Sequence, residues 1–233
     1  MVTYYNPQWG ESRPIRGILF DMDGLVLDSE SLYTRFWREA AHFYGYPMTV
    51  EQSLGMRSLG KPLGQPYLES LFGPSVDYTT LRNKRIELME AYVNQHGIAP
   101  KAGIYELLDY MEENGIAAAI TSSSPMSFIE RHLSDANLLH RFRKLCSGHS
   151  IPNGKPAPDI YLLAARELGL APESCLALED SPTGILSAYR AGCLPVMIPD
   201  LDQPGEETQK ILFAKADSLS HVIDILKQQN GHQ

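Results

Sequence analysis

Basic residues are in short supply. Lys and Arg number 20 against 28 Asp and Glu, a formal net charge of -8. A nucleic-acid or anionic-membrane partner would favour a basic face, so neither is expected. An anionic substrate would have to be met by a local positive group or a metal ion. Cysteine is also scarce: Cys146, Cys175 and Cys193 are odd in number and form no C-x-x-C pair. That excludes a zinc ribbon and a disulfide framework, and it suits reduced thiols in the cytoplasm, the expected location. No apolar run reaches the ~18 residues of a membrane-spanning helix. Residues 1–14, with Tyr4, Tyr5, Pro7, Trp9 and Pro14, lack the basic and apolar regions of a signal peptide and are expected to form a surface extension. Internal repeats and low-complexity tracts are absent too. What remains is ordinary: 43% hydrophobic and 21% charged residues in a 233-residue chain, enough for one good core and a smaller second unit.

The most informative stretch is Ile18-Leu19-Phe20-Asp21-Met22-Asp23-Gly24, an apolar run ending in paired acids and a glycine. Such a run reads as a buried strand of parallel type that ends in a loop. Asp21 and Asp23 then lie at the carboxyl end of a strand, where open α/β sheets hold their ligands. A helix is expected from about Ser29 to Gly45, with Asp28 or Ser29 as its N-cap. Helical patterning with breaks continues to about Ala99, without a β-branched run. This is long for a strand-to-strand crossover, so residues 30–98 are expected to be an inserted helical subdomain, a movable lid. Downstream the pattern alternates as in a parallel α/β layer structure. Expected strands are 116–120, a weaker 142–145, 175–178 and 195–198. Expected helices are 104–114, 128–139, 160–168, 185–191 and 218–228, the last capped by Ser218 or Ser220.

Four strand-end loops thus carry, in order, Asp21/Asp23, Thr121-Ser122-Ser123, Lys155 and Glu179/Asp180. Three or four carboxylates in one crevice are hard oxygen ligands that suit Mg²⁺. Hydroxyls and backbone N–H groups at a helix start suit phosphate oxygens. Lys155 and a metal would offset the charge of an incoming anion. Together these point to a phosphoryl group, with a carboxylate nucleophile passing through an aspartyl-phosphate.

Phe20-Asp21-Met22-Asp23-Gly24, Ile120-Thr121-Ser122-Ser123, Gly154-Lys155-Pro156 and Leu178-Glu179-Asp180-Ser181 together resemble the haloacid dehalogenase superfamily of phosphotransferases. The branch resembled is that of beta-phosphoglucomutase and small sugar-phosphate phosphatases. The resemblance implies a Rossmann-like catalytic core over 15–29 and 99–233 with a helical cap over 30–98. It implies Asp21 as nucleophile, and Asp23 as general acid and then base. Asp21, Asp180 and the Asp23 carbonyl would hold Mg²⁺, with Glu179 ligating directly or through water. Ser122, with Thr121 as the alternative hydroxyl, would hold the transferring phosphoryl oxygens together with Ser123 and Lys155. The branch's mutases carry a histidine where Tyr33 stands, which favours hydrolysis of a small phosphomonoester, with sugar-phosphate mutase as the alternative. A phospho-accepting regulatory module is a reading of a different class, which the acid/base residue Asp23 and the large insertion argue against. Arg57 and Lys61, in Gly55-Met56-Arg57-Ser58-Leu59-Gly60-Lys61, are candidate cap contacts to substrate. Hexose, deoxysugar and nucleoside phosphates and phosphoglycolate all fit these motifs, and oligomeric state is left open.

Overall fold

Ile18, Leu19 and Phe20 are completely buried, and the strand they form lies inside the sheet with neighbours on both sides. A computed structural model describes residues 1–6, 9, 14–56, 59–200 and 203–231. Among these residues, seven strands form one sheet: β1 Val2–Tyr4, β2 Gly17–Phe20, β3 Ala117–Ser122, β4 Lys144–Ser147, β5 Cys175–Glu179, β6 Leu194–Met197 and β7 Ala214–Ala216. Their order is β1-β7-β6-β5-β2-β3-β4, and every pairing is parallel except that of β1 with β7. The chain runs outward from β2 through β3 to β4 and then crosses back to β5 on the other side of β2. The reversal makes the carboxyl end of β2 a topological switch point, where α/β sheets place ligands.

The sheet is covered by helices, as parallel strands require. Leu19, Ala119 and Ala177 share one face, where they cluster with residues of α7 Asp159–Leu168 and α8 Pro182–Arg190. All three cysteines are buried in this cluster as free thiols. Alternation sends Phe20 to the other face, where its ring meets Phe142 edge-on at 5.6 Å. α5 Ile104–Glu113 packs on β3 and on α10 Val222–Asn230. α6 Met126–Asp135 packs on β4, and the short α9 Glu206–Lys210 packs against α8.

Two local expectations are corrected. The surface extension includes β1, whose Val2, Thr3 and Tyr4 pair with Ala216, Lys215 and Ala214 to give the sheet an antiparallel edge. Neither Ser218 nor Ser220 caps α10: Leu219–His221 form a 3-10 turn, and His221 is the N-cap. The Ser218 hydroxyl lies 2.8 Å from His221 Nδ1 instead.

The chain divides into two compact units, Met1–Leu27 with Ala99–Gln233, and Asp28–Ile98. The second starts two residues before the expected insertion, and its elements among the described residues are all helices: α1 Ser29–Phe43, α2 Val50–Leu54, α3 Lys61–Phe72 and α4 Tyr78–His96. Trp37, Met48, Met56, Leu68, Tyr78 and Leu81 make its own core. Two helix starts are fixed by side chains. Thr49 and Gln52 form a reciprocal capping box at α2, and Asp77 accepts from the Thr80 N–H at α4. Asp28 is the N-cap of α1, without a side-chain capping bond. No helix among the described residues is long and apolar enough to cross a membrane.

Candidate active site

Register aligns the chemistry. Phe20 lies opposite Ile120 on β3 and Leu178 on β5. One residue further along, Asp21, Thr121 and Glu179 form a row across three adjacent strands. The Asp21 N–H extends the ladder to Leu178 O at 3.0 Å. After Asp21 the chain turns sharply: Val26 and Leu27 both donate to Met22 O, and Gly24 donates to Leu27 O. Gly24 has φ +83°, a left-handed conformation that glycine adopts without cost.

Lys155 joins the two acidic loops. Its ammonium donates to Asp21 Oδ1 at 2.5 Å, to Glu179 Oε1 at 2.6 Å and to the Thr121 carbonyl at 3.1 Å. Glu179, only 1% exposed, also accepts from the Tyr161 hydroxyl at 2.5 Å and from Ser181 Oγ at 3.3 Å. Gly184, in the first turn of α8, makes room for this carboxylate. A Cβ there would lie 1.9 Å from Glu179 Cδ.

Asp23 turns the other way. Its Oδ2 accepts from Ser122 Oγ at 3.3 Å and Ser124 Oγ at 3.1 Å, while its buried Oδ1 has no hydrogen-bond partner. Ser122 Oγ in turn accepts from the Ser124 N–H at 3.1 Å. The Thr121 hydroxyl is spent inside the sheet, donating to Phe20 O at 3.0 Å. Of the two hydroxyls left as alternatives, it is therefore Ser122 that faces the acidic loop. Ser123 is exposed.

The structure thus bonds Asp21, Lys155 and Glu179 in one cluster and Asp23 with Ser122 in a second, and carboxylate oxygens of Asp21, Glu179 and Asp180 lie within 4.8 Å of one another. Lys61 is exposed as the first residue of α3 in the helical unit, and Arg57 lies outside the described residues. Sequence reasoning missed Tyr161, Ser124 and Gly184. A serine run beside the Thr121-Ser122 motif was the one available signal for Ser124. Tyr161 carries none, because its spacing in α7 is that of a core residue.

Residues 18–198 match the haloacid dehalogenase-like hydrolases. The chain belongs to this family. It is 30% identical over 219 residues to hexitol phosphatase A of Escherichia coli, covering 93% of this chain and 96% of that protein. It is 31% identical over 180 residues to the phosphorylated carbohydrates phosphatase of Thermotoga maritima, covering 76% and 82% respectively. A haloacid dehalogenase family hydrolase from Deinococcus radiodurans, solved with phosphate and sodium, superposes with a TM-score of 0.83 at 22% identity, over 94% of this chain and 97% of that one.

Haloacid dehalogenase-like hydrolases generally use a divalent metal, and the donor set of this one fits such an ion. Asp21, Glu179 and Asp180 are all buried, and Lys155 bonds only the first two of them among the described contacts. Burial pushes the Asp21 carboxyl well above its usual range; Lys155 opposes the rise, while Glu179, Asp180 and Asp23 add to it. Burial also works against the Lys155 ammonium, but Asp21 and Glu179 outweigh it and hold the lysine charged. A divalent cation on these hard oxygens would offset the remaining negative charge.

Proposed function

We propose that the protein is a Mg²⁺-dependent phosphatase that hydrolyses a small, sugar-like phosphomonoester through an aspartyl-phosphate on Asp21. The observation that carries this reading is the division of labour between the two aspartates. Asp21 is clamped by Lys155, whereas Asp23 is held by one oxygen and offers the other, partnerless one for proton transfer.

Asp21 attacks phosphorus with its free carboxylate oxygen, forming the O–P bond as the ester O–P bond breaks. Protonated Asp23 gives its proton to the departing alkoxide. The resulting Asp23 carboxylate then takes a proton from water, whose oxygen attacks phosphorus and releases Asp21 and inorganic phosphate. Lys155 supplies fixed positive charge to the phosphoryl oxygens, a contribution for which one lost donor typically costs about 10²–10³ in rate. Ser122 and Ser124 orient Asp23, and the exposed Ser123 lies in the same loop, open to a phosphoryl oxygen. Tyr161 and Ser181 hold Glu179, which holds Lys155. Asp21 and Asp180, with the Asp23 carbonyl, would hold Mg²⁺, and Glu179 would reach it directly or through water. The ion would lower the repulsion between Asp21 and a phosphate dianion. The family relatives named for hexitol and carbohydrate phosphates support a polyol or sugar phosphate as substrate.

Phosphate release from p-nitrophenyl phosphate and a panel of hexose and hexitol phosphates, with and without Mg²⁺, tests this. Turnover that requires Mg²⁺ and vanishes in Asp21→Asn is expected. Background turnover in both proteins would overturn the phosphatase reading. Conversion of beta-glucose 1-phosphate into glucose 6-phosphate, without free phosphate, would replace it with the mutase.

A further inference from the structure

β4 ends on a residue that none of the site's motifs includes. Ser147 lies directly opposite Ser122 on the neighbouring strand β3 and is only 1% exposed. Past this pair both strands turn, and Ser147 ties the two turns together. Its hydroxyl donates to the Ser124 carbonyl at 2.7 Å and accepts from the His149 N–H at 3.2 Å. One side chain thus caps the 3-10 turn Gly148–Ser150 and fastens the serine loop to it. Gly148 lets the loops lie flat against each other: a Cβ there would be 3.0 Å from Ser123 Cα and 3.5 Å from the Ser122 carbonyl oxygen. Both hydroxyls on Asp23 Oδ2, from Ser122 at 3.3 Å and from Ser124 at 3.1 Å, come from the loop held in this way. Neither bond is short, so a shift of a few tenths of an ångström would carry them beyond hydrogen-bonding distance.

We propose that Ser147 is a positioning residue for proton transfer at Asp23. By fixing the Ser124 carbonyl it fixes the Ser122 and Ser124 hydroxyls, and these aim the partnerless Asp23 Oδ1 at the leaving oxygen. This role rests on the phosphatase reading above and deepens it. An alkoxide leaving group takes the Asp23 proton as its O–P bond breaks, and departs as a neutral alcohol. p-Nitrophenolate is stable as an anion and departs without that proton. Misplacing Asp23 therefore slows the first kind of ester more than the second, whereas a general loosening of the site slows both alike.

The test compares kcat/KM for p-nitrophenyl phosphate with kcat/KM for the hexose or hexitol phosphate turned over fastest, in the full chain with Mg²⁺. kcat/KM reports the steps up to departure of the alcohol, so the later attack by water does not enter. Ser147→Ala should lower the sugar-phosphate value about tenfold or more and the aryl value about threefold or less. Gly148→Ala, which presses a methyl onto Ser123 Cα, should show the same selective loss, and it decides the matter if Ser147→Ala does not fold. In a Ser124→Ala background, Ser147→Ala should change the ratio of the two values less than it does alone, because one of the hydroxyls it positions is gone. Thermal melts and circular dichroism establish which variants are folded. Equal losses on both esters in a folded variant, or no loss on either, would overturn the proposal and leave the phosphatase reading standing. A wild-type protein inactive on both esters would overturn the phosphatase reading itself, and this role with it.

Discussion

Replacing Tyr161 with Phe removes one oxygen atom from the interior. The ring is completely buried among Leu19, Ala119, Ala165 and Cys175, so its packing survives the change. What is lost is the hydroxyl's donation to Glu179 Oε1 at 2.5 Å. The tyrosine is a donor at any working pH, because burial and then Glu179 hold its pKa well above the usual value. Hydrogen bonds to charged groups contribute about 1.5–3 kcal/mol. In a chain of this length each kcal/mol moves Tm by about 2–4 °C, so a fall of about 3–12 °C is expected in a thermal melt. Activity should fall as well, because Glu179 sets the position of the Lys155 ammonium. Loss of such a supporting bond typically costs about 10–100-fold in metal affinity or activity. In a Glu179→Leu background the same change should cost less than half as much stability, since the acceptor is gone. A Tyr161→Phe protein with wild-type Tm and wild-type Mg²⁺ dependence would refute this account of the network.

Gly184→Ala would drive a methyl into the Glu179 carboxylate, which would lie 1.9 Å away. With that carboxylate pinned by Lys155 and Tyr161, overpacking of about 1–3 kcal/mol and a large loss of turnover are expected, read by melting and by p-nitrophenyl phosphate assay. Burial pushes the Cys146 thiol up to about 11 and that of Cys175 up to about 12, and Cys193 higher still. All three should therefore be neutral and unreactive to iodoacetamide at pH 8 in the native protein, and fully alkylated after denaturation, as mass spectrometry would show. Thr49→Ala removes one half of the capping box at α2 and should cost about 1 kcal/mol, a fall in Tm of about 2–4 °C without loss of turnover.

Strand ends could be read from sequence where an apolar run stops on a polar residue, as at Phe20-Asp21 and Leu178-Glu179. Those runs are buried on both faces, so hydrophobicity alone marks them. β1 and β7 are three residues each, too short for any periodicity to register, and their pairing joins the two ends of the chain. The choice between Thr121 and Ser122 depended on strand register, which local sequence does not encode. Thr121 lies beside β2 and gives its hydroxyl to a carbonyl 101 residues away. Tyr161 was hidden for a similar reason. In α7 it has the spacing of a core residue, with Ile160, Ala164, Ala165 and Leu168 buried around it, and only the bond to Glu179 on β5 places its hydroxyl beside the candidate site. The lack of β-branched runs marks the helical unit as helical.

Chemical trapping at residue 21 bears most directly on the central claim. An acyl phosphate on Asp21 is reduced by borohydride to homoserine, whereas a free carboxylate is not. Protein quenched with borohydride during turnover of a sugar phosphate with Mg²⁺ is predicted to yield a peptide with homoserine in place of Asp21. No such peptide should form without substrate or in Asp21→Asn. Rapid turnover with no reduction at residue 21, or full activity in Asp21→Asn, would contradict it.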